Sequence, residues 1–239
     1  MTADSMRRAV YDDVAAAYHD WVGPSLADPS LAALLGDVRG QRVCAMACGQ
    51  GRDARYLAGL GASVVALDIS ARLLSVAQQF GPVPPGFTYL RASAMEVPLA
   101  TRAFDGVLCH MALMDIADLT STISGIARIL KPGGWLVFAI THPCFKAPAT
   151  GEITDHVDGS VRRTVGRYFD EGYWDGPGAH AATLPIGAYH RTLSSYVNCL
   201  AEAGLLIERM IEPVGIPDAP VWHQVPCLLY ARCRRSSIS

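Results

Sequence analysis

Arg42-Val43-Cys44-Ala45-Met46-Ala47-Cys48-Gly49-Gln50-Gly51-Arg52-Asp53-Ala54 is the stretch on which the reading of this chain turns. Its first part, Arg42–Ala47, has the length and apolar content of a buried strand. A glycine turn follows, then a helical pattern through Asp53–Leu60. Glycines at such a junction allow unusual backbone angles and let a ligand approach the main chain. Outward from this unit the same alternation repeats. Ser63–Leu67 reads as a second strand, Arg72–Gln79 as a helix, Phe87–Arg91 as a third strand and Gly106–His110 as a fourth. The helix Leu119–Leu130 stops at Lys131-Pro132-Gly133-Gly134, because proline cannot continue it and glycine supplies the turn. Trp135–Thr141 is a fifth strand. Strands that are apolar throughout and alternate with helices predict an α/β fold, doubly wound, with a mostly parallel sheet covered on both faces.

Beyond Thr141 the pattern changes. Residues 143–192 are rich in glycine, proline and aromatic residues and hold no long apolar period, which predicts an insertion or lid over the carboxyl edge of the sheet. Periodicity resumes with a helix at Leu193–Ala203, a strand at Leu205–Glu212 and a last strand at Pro226–Cys233. The 239 residues, 51% hydrophobic and 18% charged, suit a single domain spanning 1–239 with one well-filled core. A formal net charge of −2 argues against a nucleic-acid partner. No apolar run approaches the roughly 20 residues of a membrane helix. The opening stretch MTADSMRRAVYDD carries no apolar signal-peptide core, so a soluble, cytoplasmic protein is expected. Seven scattered cysteines form no disulfide framework, and seven dispersed histidines show no ligand spacing, so no metal is expected.

Asp68 ends the second strand, where a carboxylate can accept both hydroxyls of a ribose. Gly49-Gln50-Gly51-Arg52-Asp53-Ala54 also satisfies the dinucleotide pattern G-x-G-x-x-G/A. A short-chain dehydrogenase would carry a Tyr-x-x-x-Lys pair. The only lysines are Lys131 and Lys146, and the positions four residues before them hold Ala127 and His142, which excludes that version.

Four motifs together resemble the class I S-adenosylmethionine (SAM)-dependent methyltransferases that act on small molecules. They are VCAMACGQGR (43–52), VVALDIS (64–70), ASAMEVP (92–98) leading to FDGVLCH (104–110), and LKPGGWLVF (130–138). The stretch 190–213 resembles the helix and strand that follow the lid in this family. The resemblance implies a Rossmann-like sheet of seven strands with an antiparallel last strand, and capping helices within residues 1–40. It implies SAM as cofactor, with Ala47, Cys48, Gly49, Gly51 and Arg52 around its methionine part. Asp68 would hold the ribose, Ile69 would pack on adenine, and Ala94 and Met95 would flank the adenine edge. Cys109 and His110 would lie beside the sulfonium, and Tyr18 would close over the cofactor. Two family acids are replaced, by Ala45 and Ser93.

Methyl transfer is an in-line displacement, so alignment supplies most of the acceleration and a base is needed only where the acceptor keeps its proton. His142, directly after the fifth strand, is the first candidate base, and His190 the second. Tyr11, Met114, Tyr168, Phe169, Tyr173 and Trp174 are candidate walls of an acceptor pocket, although the lid aromatics could equally form the lid's own small core. Arg162, Arg163 and Arg167 could hold an anionic group or form a solvated face. Pro143-Cys144 follows the fifth strand and not the fourth, which separates it from the Pro-Cys nucleophile of cytosine-5 methyltransferases. The expected activity is methylation of an O or N atom of a small molecule by a monomer or homodimer, and the family resemblance implies a role in natural-product biosynthesis. The rival is a protein of this fold that binds SAM or S-adenosylhomocysteine (SAH) without transferring methyl, as a regulatory subunit or in a rearrangement.

Overall fold

Parallel neighbours in a sheet need long crossovers, and the helical segments between the apolar runs supply them. The computed structural model describes residues 10–21, 29–175, 186–215 and 220–237. Helices α1 (Val10–Trp21) and α2 (Pro29–Leu35) precede β1 (Arg42–Met46), α3 (Arg52–Gly59), β2 (Ser63–Asp68), α4 (Ala71–Gln79), β3 (Phe87–Arg91) and β4 (Phe104–His110). Then come α5 (Leu119–Ile129), β5 (Leu130–Thr141), the short strands β6 (Gly151–Thr154), β7 (Val161–Thr164), β8 (Gly172–Trp174) and β9 (Ala188–His190), α6 (Leu193–Glu202), β10 (Leu205–Ile211) and β11 (Leu228–Arg235). Seven strands form one sheet in the order β10-β11-β5-β4-β1-β2-β3. All neighbours pair in parallel except those of β11, which is antiparallel to both β5 and β10. The Rossmann-like sheet with its antiparallel last strand is therefore present.

Alternate residues of each central strand feed two cores. Cys44, Met46, Val107, Cys109 and Phe138 pack towards α5 and α6, whereas Val43, Ala45, Leu108 and Val137 pack towards α2 and α3. Burial on both faces explains why these strands read as unbroken apolar runs.

The Lys131-Pro132-Gly133-Gly134 turn departs from its expected place between helix and strand. Phe104 pairs with Leu130 and Gly106 with Trp135, so residues 131–134 bulge out within β5 opposite Asp105. Gly133 supplies the left-handed angle, and Lys131 Nζ closes the bulge on Asp105 Oδ1 at 2.6 Å. Residues 143–192, read as lacking a regular pattern, contain two small antiparallel pairs, β6–β7 and β8–β9. These strands are only three or four residues long, too short for a periodicity to register.

Three helices start on side-chain caps: Ser70 for α4, Asp118 for α5 and Thr192 for α6. Asp118 accepts from Ser121 N at 2.9 Å and from Ser121 Oγ at 2.6 Å, bonds that hold its carboxyl below the usual carboxylate range. Asp118→Ala is expected to lower stability by about 1 kcal/mol at neutral pH. Because the folded pKa lies below the unfolded one, the contribution of the charge is present above the ordinary carboxylate pKa and is lost as pH falls through the depressed value. Chemical denaturation of both proteins across the acid range checks this, the gap narrowing towards low pH.

Candidate functional site

The strand order reverses between β1 and β4, and the crevice at such a point is where open α/β sheets bind ligands. Each strand is followed there by a non-glycine residue in the left-handed region, Ala47 at φ 51° and Met111 at φ 52°. Left-handed backbone costs an L-residue roughly 1–2 kcal/mol and clusters at functional sites. Ala47 leads into Gly49 and Gly51, which are left-handed as well. Gly51 begins α3, and a Cβ there would come within 2.8 Å of the Tyr89 hydroxyl, so the position admits glycine alone on two counts.

Asp68 holds the turn. Its Oδ2 accepts from Gly49 N at 2.7 Å and its Oδ1 from Ser70 N at 2.8 Å, leaving each oxygen a further lone pair. Burial raises its pKa above the usual carboxylate value, opposed by these two N–H donors. Such a buried carboxylate is costly and persists only where something uses it.

Helix α1 covers the turn. Asp12 Oδ1 accepts from Ser70 Oγ at 2.5 Å and Arg72 N at 3.1 Å, while Arg72 Nη1 donates to Asp12 O at 2.8 Å. This anchoring sets Tyr18 over Gly49, with its ring and hydroxyl 3.8 Å from where a Cβ would stand. Tyr11 stacks edge-on against Tyr18 at 5.3 Å and donates to Asp115 Oδ2 at 2.8 Å. Burial, then the charges of Asp115, Asp53 and Asp68, raise the Tyr18 pKa far above its ordinary value.

His110 ends β4 on the α3 side. Its Nδ1 lies 3.1 Å from Asp53 Oδ2, with side-chain exposures of 11% and 16%. His110 Nε2 and Asp53 Oδ1 are both buried without a hydrogen-bond partner among the described residues. Cys109 faces the opposite way and is wholly buried among core residues, so only its backbone reaches the edge. Burial pushes the thiols of Cys48 and Cys109 up, and that of Cys44 to about 12, which keeps all three protonated and unreactive. Ile69 precedes the α4 cap Ser70, and its carbonyl accepts from Arg91 Nε at 3.3 Å. Ala94 is buried beside Met95, whose N–H is received by Ser93 Oγ at 3.1 Å. Arg52 reaches Gln50 Oε1 at 3.4 Å and lies over Phe80.

The two candidate bases are differently placed. Buried His142 has both ring nitrogens engaged, Nε2 with Glu212 Oε1 at 2.9 Å and Nδ1 accepting from Cys144 N at 3.2 Å. It would have to release one partner before taking a proton. His190, also buried, bonds through Nε2 to Tyr168 O at 2.7 Å. Among the lid aromatics, Tyr168 accepts from Leu193 N at 2.7 Å and Tyr173 stacks on Tyr189, whereas Phe169 is 85% exposed and Trp174 half-buried. Met114 is buried, and its carbonyl accepts from Tyr189 N at 2.6 Å, which joins β9 to the loop after β4. Arg191 reinforces that joint through the carbonyls of Leu113, Ile116 and Ala117. The arginines read as either anion holders or a solvated face are paired within the insertion: Arg162 with Asp155, Arg163 with Glu152, and Arg167 with Asp170. Among the described residues no group of three or more His, Cys, Asp or Glu is disposed to hold a metal, and no helix is long and apolar enough to cross a membrane.

Sequence reasoning gave Asp53 and Asp115 no role of their own, although both shape this edge. Nothing in residue type or spacing pairs Asp53 with His110, 57 positions away; only the fold brings them together.

A glycine turn with a buried acid at the next strand tip, beneath a tyrosine-bearing helix, defines a nucleoside-cofactor site on a doubly wound sheet. Residues 44–138 match the family model described as a methyltransferase domain. An S-adenosylmethionine-dependent methyltransferase from Mesorhizobium loti is 30% identical, with a TM-score of 0.77 over 87% of this chain and 96% of that one. An uncharacterized protein of Haemophilus influenzae is 27% identical over 87% of this chain and 86% of its own length. The ubiquinone biosynthesis O-methyltransferase of Xanthomonas oryzae is 37% identical, but over only 42% of this chain and 43% of its own length. The chain belongs to the S-adenosylmethionine-dependent methyltransferases, and S-adenosylmethionine is its cofactor. The residues fit that group: the turn is built on left-handed Ala47, Gly49 and Gly51, and the buried Asp68 carboxylate beside it keeps a lone pair on each oxygen for a polar group of a ligand.

Proposed function

We propose that this protein methylates an O or N atom of a small molecule, in a biosynthetic role. The observation that carries the reading is the buried Asp68 carboxylate, tied to the glycine turn and roofed by Tyr18. In this reading Ala47, Cys48, Gly49, Gly51 and Arg52 pass beneath the methionine part of the cofactor. Asp68 takes the ribose hydroxyls, Ile69, Ala94 and Met95 enclose the adenine, and Tyr18 keeps water out. The cofactor, when bound, supplies an electrophilic methyl group on a sulfonium. Tyr11, Met114 and the β8–β9 aromatics Tyr173 and Trp174 stand on the acceptor side, with Tyr168 and Phe169 before them. The O-methyltransferase relative supports oxygen as one acceptor atom.

A second reading, binding without transfer, rests on Ala45 and Ser93 in place of the family's acids. Calorimetry with SAM and SAH, followed by methyl-labelled SAM over a panel of phenols, catechols and amines, separates the two. Binding of both ligands with label on an oxygen or nitrogen is the expected result. Failure to bind either ligand sinks the proposal, and binding with no label on any acceptor favours the second reading.

A further inference from the structure

We infer that His110 is the proton acceptor of the reaction, that Asp53 positions it, and that the acceptor class is therefore a neutral hydroxyl compound. The inference rests on the methyltransferase reading above and gives His110 a role other than holding the cofactor. A carboxylate oxygen can only accept, so the 3.1 Å contact with Asp53 Oδ2 puts the imidazole proton on Nδ1. Nε2 is then the basic nitrogen. It is buried and has no partner among the described residues, and a buried ring nitrogen without a partner is a group awaiting one.

Place supports the same role. The β1–β4 register, in which Ala45 pairs with Leu108, brings Ala47 and His110 to one level, so the base stands beside the turn assigned to the methionine part. Met111, the next residue, is held left-handed with its N–H on Ala139 O at 2.9 Å, which fixes the backbone that carries the ring. The ring also lies 6.1 Å from that of buried Tyr230, limiting its rotation. By contrast, His142, the first histidine picked out from sequence, has both ring nitrogens engaged, while His190 is bonded through Nε2 to Tyr168 O within the insertion.

A phenol or alcohol keeps its proton at neutral pH and gains most from such a base, whereas a neutral amine already offers a lone pair. In the step, an oxygen lone pair forms the new C–O bond and the C–S bonding pair returns to sulfur. The hydroxyl proton passes to Nε2, leaving an imidazolium beside the Asp53 carboxylate.

The test needs no acceptor in hand. Nitrogen-15 spectra of the histidine rings, with His110→Gln assigning the signal, report which nitrogen carries the proton. The wild type is expected to show the Nδ1–H form, and saturating SAH should shift the His110 signals. Asp53→Ala should move the ring towards a mixture of tautomers. His110→Gln should bind SAH within about twofold of wild type, since a base contributes to the chemical step and not to cofactor affinity. An Nε2–H tautomer in the wild type, a signal indifferent to SAH or to Asp53→Ala, or a tenfold weaker SAH affinity in His110→Gln would each overturn the inference. A wild type that binds no SAH overturns the underlying reading instead, and is recognised by calorimetry before any spectrum is taken.

Discussion

Gly106→Ala is expected to lower stability by about 3–5 kcal/mol, the scale of losing a large buried aromatic from a core. Gly106 faces Trp135 across the β4–β5 ladder, and a Cβ built there would stand 2.0 Å from the ring's Cε2 and 2.1 Å from Cζ2. No rotation of a methyl group avoids this, because it has no torsion that moves carbon. The indole must leave, and it is held on three sides: it is buried, its Nε1 donates to Gln41 Oε1 at 2.8 Å, and Arg232 stacks over it at 5.3 Å. Ordinary overpacking costs about 1–3 kcal/mol where neighbours can shift, and here the neighbour is a rigid ring with a buried donor. For a chain of this length the midpoint of thermal unfolding should fall by about 10 °C. Trp135→Leu in the Gly106→Ala background should recover part of the loss, making the pair strongly non-additive in a thermal-unfolding double-mutant cycle. A melting point within about 3 °C of wild type for Gly106→Ala alone would show that the strand relaxes more readily than its packing indicates.

That same glycine illustrates how far the sequence could be read. Gly106–His110 is legible as a strand because Val107, Leu108 and Cys109 form an apolar run, but β4 begins at Phe104, and nothing in Gly106 announces a tryptophan across the ladder. Four of the five parallel strands, β1, β2, β4 and β5, are legible because burial on both faces imposes apolar runs, a local property, whereas edge strand β3 is mostly half-exposed. Asp68 and the glycine turn are legible for the same reason: their chemistry is set by neighbours in the chain. Two things were hidden. The β6–β7 and β8–β9 pairs are too short to impose a period. The Asp53–His110 and Tyr11–Asp115 contacts join segments 57 and 104 residues apart, so residue identity carries no trace of them. His142 shows the converse. Its position after β5 suggests a base, yet the buried ring is engaged by exposed Glu212, by Cys144 N and by Phe145, contacts that position alone cannot reveal.

Asp68→Ala is expected to weaken SAH binding by about 1–3 kcal/mol, roughly five- to 150-fold, while changing the stability of the free protein much less. Two effects oppose each other in the free protein. The alanine leaves Gly49 N and Ser70 N without their acceptor, which destabilises the turn, but it also removes a charge that burial disfavours. The sign of the second effect is fixed by the raised pKa. An acid whose folded pKa exceeds its unfolded one costs the native state nothing below the unfolded value. It costs increasingly more as pH rises from there through the folded value. The stability advantage of wild type over Asp68→Ala should therefore be larger in acid than at neutral pH, the reverse of the Asp118 trend. Cofactor binding has no such cancellation, because a ribose seeks the charged acceptor and finds none. Asp68→Asn should fall between the two, since its carbonyl keeps one backbone donor while its amide turns a second donor towards the other. Calorimetry with SAH on all three proteins, together with denaturation at acid and neutral pH, measures both quantities on one set of samples. An SAH affinity for Asp68→Ala within about threefold of wild type would detach Asp68 from the ribose and leave it as a brace for the glycine turn.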